Sequence, residues 1–208
     1  MDEEKMERAE RHQMQSRRDR RRHDLVVAAY QLLAERGFEG LRVRDVAALV
    51  GVNIATLHYY FPTKDELVQA VVDYLLQQFI DVTAPLPEGY QDTPPEQLRQ
   101  VFVDLGYQVE QVPEMFVVLN ELHLHAQRNP GVHTSLERLN AGWQAHIEGI
   151  CAEGIRQRLF RPELDARWAA SMVIALVKGI SLQVVSKLET FDFEQTGERV
   201  VQWFLKVQ

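Results

Sequence analysis

The segment VRDVAALVGVNIATLHYY, residues 43–60, constrains the fold most tightly. Its apolar residues Val46, Val50, Val52 and Leu57 all face inward if two short helices meet at a tight turn. The first helix needs a small residue where the second crosses it, and Ala47 supplies one. Four positions later the turn needs a residue that accepts a positive φ, and Gly51 stands there. Asn53 follows and can cap the second helix with its side-chain oxygen. The spacing predicts helices at 43–50 and 54–61 joined as a helix-turn-helix. The same spacing also fits an ordinary αα-hairpin inside a helical bundle.

The rest of the chain reads as helix with the same punctuation. Leu25, Val26, Ala29, Leu32 and Leu33 recur at helical spacing over 21–36, and Gly37 is a stop signal with Phe38 able to fold back. Thr63 can cap a fourth helix, with Asp65 and Glu66 in its first turn, and apolar positions from Leu67 to Phe79 carry it to about residue 80. The Pro- and Gly-containing stretch 84–96 is a loop. Helices follow at about 95–110, 114–128, 132–158, 164–187 and 193–206, the last with Val200, Val201, Phe204 and Val207 on one side. No hairpin dipeptide is flanked by alternating apolar residues, so the fold class is all-α with about nine helices.

Charge separates the chain into parts. The net charge is −7, yet residues 17–64 carry nine Lys/Arg against five Asp/Glu, whereas 65–208 carry 11 against 20. A basic segment on an acidic body is the electrostatic footprint of a nucleic-acid reader with a separate regulatory part. The run RRDRRR at 17–22 is its densest patch: either a solvated face or a contact to phosphate or minor groove. The division expected is a charged arm at 1–19, disordered or a solvated extension of the first helix, a DNA-binding domain at 20–65 and a helical body at 66–208. No N-terminal apolar run resembles a signal peptide. The most apolar stretch, 169–185, is broken by Ser171, Lys178, Ser181 and Gln183, so a cytoplasmic protein without a membrane partner is expected. The single cysteine, Cys151, lies in an apolar helical context and reads as a buried thiol.

The second short helix exposes Thr56, His58, Tyr59 and Tyr60, which can reach phosphates or base edges. A buried hairpin would not carry so many polar-tipped residues. Lys64 stands at the start of the next helix, where its charge and the helix terminus can hold a phosphate. Residues 20–75, with ERGFEG before the motif and FPTKDEL after it, closely resemble the TetR (tetracycline-repressor) family signature. The stretch EGIRQRLFRPELDARWAA at 153–170 is similar to the family as well. The resemblance implies that Thr56, Tyr59, Tyr60 and Lys64 bind phosphates, that Ile54, Ala55 and His58 face base edges, and that Arg44 lies near the backbone. It departs from the family pattern at His58, where members usually carry Tyr, and at Arg42, where they often carry a Thr cap.

The same resemblance implies a homodimeric repressor released from a palindromic operator by a small-molecule effector. Its dimer interface would be formed by the last two helices, with Ala169, Val173, Leu176 and Ile180 on one and Val200 and Phe204 on the other. Phe116, Glu121, His125, Trp143, His146, Trp168 and Met172 are the pocket candidates, although each alone also fits a core or surface role. His123 and His125 are two residues apart and cannot share an ion on a helix, and neither HExxH nor CxxC occurs, so no metal site or cofactor is expected. An all-α enzyme, or a regulator controlled by a protein partner, predicts turnover in the first case and a solidly packed body in the second.

Overall fold

The computed structural model describes the backbone of residues 2–205 and the side chains of 15–205. Val207, expected on the last helix, lies outside them. Nine α-helices run through the described residues: α1 (Asp2–Gly40), α2 (Val43–Leu49), α3 (Ile54–Tyr60), α4 (Lys64–Asp81), α5 (Pro94–Gln111), α6 (Glu114–Ala126), α7 (Pro130–Arg156), α8 (Ala166–Val185) and α9 (Phe193–Phe204). The architecture is all-α, as the periodicity predicts; among the described residues the β-type pairing is one isolated bridge, Phe160 with Leu205.

Local chemistry sets the helix boundaries. Gly37, at φ 67° and ψ −178°, breaks α1 where the sequence places a stop. The helix nevertheless begins well before residue 21, so the basic run 17–22 is an exposed helical extension. Asn53, Thr63, Asn129, Asp165 and Asp192 each accept a bond from the backbone N–H three positions on, capping α3, α4, α7, α8 and α9. Arg42 caps α2 without any side-chain bond. Pro130, read from sequence as part of a break, is the first residue of α7, where a missing N–H costs nothing.

Leu25, Ala29 and Leu33 of α1 are fully buried with Val46, Leu57 and Phe61, and form the small core under the helix-turn-helix. α4 packs on both α1 and α7, α6 on α1 and α7, α5 on α9, and α7 on α8. Thus α4 and α6 both run between the N-terminal helices and the body. α8 is 20 residues of mean hydropathy 1.7, long and apolar enough to cross a membrane by length and composition, despite its interruptions. Here it is a packed helix of the body, with Ala169, Ala170 and Val173 buried. Cys151 is buried, and burial pushes its thiol pKa up to about 11, in keeping with an unreactive role.

Gly51 sits in the turn at φ 69°, and a Cβ there would meet no atom within 4 Å. A Gly51→Ala protein is therefore expected to suffer only left-handed backbone strain, about 1 kcal/mol. In a chain of this size that is a fall of roughly 2–4 °C in thermal midpoint. A larger fall would mean that the side chain collides with something.

Candidate nucleic-acid interface and ligand cavity

α3 is held from below by one residue and from its start by another. Leu57 is completely buried, while Asn53 Oδ1 accepts from Thr56 N at 2.7 Å and from Thr56 Oγ1 at 3.0 Å. Ile54, Ala55, His58 and Tyr59 are left exposed, Tyr59 at 66%. Thr56 and Tyr60 are half-buried, and the Tyr60 ring packs edge-on against Tyr59. Arg44 is exposed and forms an ion pair with Asp45 at 3.3 Å, and Asp45 also holds Arg36.

Three arginines of α1 lie against this unit. Arg18 stacks over the Tyr59 ring at 5.5 Å, Arg22 over Phe61 at 5.0 Å, and Arg21 donates to the Val50 carbonyl at 3.4 Å. The basic run of α1 therefore lies directly beside α3. These contacts raise the 17–22 run from an ambiguous charged stretch to part of the candidate interface.

Lys64, half-buried at the start of α4, makes a contact within its own chain. Its ammonium donates to the Phe38 carbonyl at 3.3 Å and lies 4.4 Å from the centre of the Phe38 ring. Burial lowers its pKa, and Glu39 and Asp65 oppose that shift. Its charge is thus engaged by its own chain.

Phe38 is a junction. Its N–H donates to Glu121 Oε2 of α6 at 2.9 Å, and its ring stacks on His125 at 4.0 Å and 19°. Glu121 and His125, two pocket candidates, share a face as their i, i+4 spacing requires, but that face meets the end of α1 rather than a cavity.

The body holds a cavity of about 150 Å³ among α4, α5, α7 and α8. Of the seven pocket candidates, Trp143 and His146 line it. Phe116 is buried behind it, edge-on to the lining residue Phe79 at 5.7 Å. Trp168 and Met172 are exposed, at 58% and 40%, and border a separate apolar groove with Leu176 and Trp203. The expected dimer face is also rotated. Ala169 and Val173 are buried inside the body, and Ile180, Val200 and Phe204 form the floor of the α8–α9 grooves; only Leu176 of that set is partly exposed. α8 carries apolar residues all round, so periodicity alone could not choose its outer face. Sequence reading missed Asp104 and Gln108 in the cavity; they belong to a polar row, Gln100, Asp104 and Gln108, at i, i+4 and i+8, which the other polar residues of this amphipathic helix, such as Glu96, Arg99 and Glu110, do not set apart.

Two family profiles match this layout. Residues 25–71 match bacterial regulatory proteins of the tetR family, and residues 94–205 match the C-terminal part of BetI-type transcriptional repressors. The chain belongs to the TetR family. It is a DNA-binding transcriptional repressor of that family. Among its relatives, the transcriptional repressor NicS of Pseudomonas putida is 25% identical over 158 residues, covering 76% of this chain and 74% of NicS. The nicotine-responsive repressor HdnoR of Paenarthrobacter nicotinovorans is 27% identical over 165 residues, covering 78% and 82%. A TetR-family regulator from Rhodococcus sp. superposes with TM-score 0.74 at 25% identity, over 88% of this chain and 95% of that one. These matches are to transcriptional regulators, not to enzymes.

Proposed function

We propose that this TetR-family repressor acts as a homodimer that sets two copies of α3 into successive major grooves of a palindromic operator and is released by a small molecule held in the cavity. The arm 1–19, the reading domain 20–65 and the body 66–208 have separate tasks in this reading. One observation carries it: α3 exposes Ile54, Ala55, His58 and Tyr59 together, on a helix locked by Leu57 and Asn53 and flanked by the arginines of α1. Ile54, Ala55 and His58 meet base edges; Thr56, Tyr59, Tyr60, Arg44, Arg18 and Arg22 meet the backbone. Asn53 supports the helix as its cap, and Lys64 stays with Phe38. The DNA partner puts the protein in the cytoplasm, and no catalytic step is needed.

The effector acts through two helices. α4 carries Phe79 in the cavity wall and begins with Lys64 on Phe38; α6 carries Phe116 against Phe79 and ends with Glu121 and His125 on Phe38. A ligand that shifts Phe79 moves both grips on the reading domain and so changes the spacing of the two α3 helices. The ligand-responsive relative HdnoR supports a small-molecule effector of this kind.

The second copy covers the outer face of α8 and α9, where Met172, Leu176 and Trp203 leave apolar surface uncovered beside Ala175 and Gly179. Sedimentation tests this. The native protein is expected at twice the 24.1 kDa chain mass, and Leu176→Arg at a single chain mass with an intact helical melt. A native monomer, both free and on DNA, would overturn the dimeric reading.

A further inference from the structure

The polar wall of the cavity points to the charge of its occupant. Asp104 is the one acidic side chain in the lining, and no Lys or Arg lines it among the described residues. Asp104 Oδ1 accepts from Ala84 N and from Gln100 Nε2, both at 2.9 Å, so the carboxylate is fixed in place by neutral donors. None of the ion pairs among the described residues involves it. Beside it, Gln108 is buried, and its carboxamide nitrogen donates to the carbonyls of Phe79 and Val82, at 3.3 and 2.9 Å. Both of its N–H groups are thereby taken, which leaves an acceptor oxygen to offer. Phe79 and Trp143, edge to face at 4.9 Å, supply aromatic surface, and Val101, Val173 and Val177 supply aliphatic surface.

We infer that the cavity takes a protonated amine with an apolar body. An uncompensated carboxylate, a second acceptor and two aromatic rings all favour a positive N–H donor. An anionic ligand would meet Asp104 without any arginine or lysine to hold it, and a neutral one would leave the carboxylate without a counter-charge. His146 is exposed and stands at the margin, where it can accept a further N–H while neutral. The inference rests on the reading of this cavity as the effector site.

Three probes share one skeleton and differ in charge: 4-phenylbutylamine, 4-phenylbutan-1-ol and 4-phenylbutyrate. Calorimetric titration of the full chain at pH 7 is expected to show the amine binding at least tenfold tighter than either of the others. Asp104→Asn keeps an oxygen to accept from Ala84 and Gln100, so its melt is unchanged while the amine falls to within threefold of the alcohol. Equal binding of the three, tighter binding of the carboxylate, binding by none, or an amine preference that survives Asp104→Asn would each overturn the inference. The same titrations with bound DNA keep the two ideas apart. An amine that binds preferentially yet does not release DNA upholds the ligand class and contradicts the effector reading. An alcohol or carboxylate that binds tighter and does release DNA overturns the class and leaves the effector reading standing.

Discussion

A His58→Ala protein is expected to bind its own operator five- to 150-fold more weakly while its affinity for unrelated DNA changes less than twofold. The imidazole is exposed on α3, whose axis is fixed by the buried Leu57 and by the Asn53 cap, so removing it leaves the helix in place. A well-placed hydrogen bond to a base edge is worth about 1–3 kcal/mol of discrimination, which is the range given. The arginines of α1 should behave in the opposite way. Arg18→Gln with Arg22→Gln keeps the stems but removes two charges stacked on Tyr59 and Phe61. Binding should then weaken on every sequence, and the slope of log affinity against log salt should become shallower by about 0.9 for each phosphate that is no longer neutralised. Competition titrations on operator and random duplex, repeated at several salt concentrations, separate the two behaviours. A His58→Ala protein with unchanged preference would remove the imidazole from the base-reading set.

Glu121→Ala is expected to leave operator binding within a few-fold of native and to reduce effector-driven release to less than threefold. The carboxylate is the acceptor for Phe38 N at 2.9 Å, and the Phe38 carbonyl and ring hold Lys64. A hydrogen bond to a charged group contributes about 1.5–3 kcal/mol. Coupling between effector and DNA is typically about 1–3 kcal/mol, a factor of 5–150, so losing this one grip is enough to erase most of it. Glu121→Gln retains an acceptor oxygen and should restore the response. Measuring DNA affinity with and without effector for the three proteins checks this. Full release in Glu121→Ala would mean that α4 alone carries the coupling.

What could be read from the chain divides by distance in sequence. The helix-turn-helix was legible because its determinants, Ala47, Gly51, Asn53 and Leu57, act on neighbours within a few residues. The helix stop at Gly37 and the caps at Thr63 and Asn53 were legible for the same reason. The positions of Glu121 and His125 on one face were also legible, but their partner Phe38 is 83 residues from Glu121, and nothing local distinguishes a polar pair facing a cavity from one facing another helix. The contact of Lys64 with Phe38 was not legible, because its carbonyl and aromatic partners stand 26 residues away in sequence. The outer face of α8 failed differently: a helix apolar all round gives periodicity no contrast, so Trp168 and Met172 were read inward and Ala169 and Val173 outward. Asp104 takes its role from the backbone of Ala84, brought onto it by a loop that carries no periodic signal.

Selection of bound duplexes from a random pool, using the full chain without any small molecule, tests the central claim most directly. The expected result is a palindrome whose two half-sites are centred about one helical turn apart or a multiple of it, with His58→Ala recovering a degenerate version of the same half-site. Recovery of no enriched sequence, or of a single unpaired site by a monomer, would contradict a dimeric repressor that reads its operator through α3.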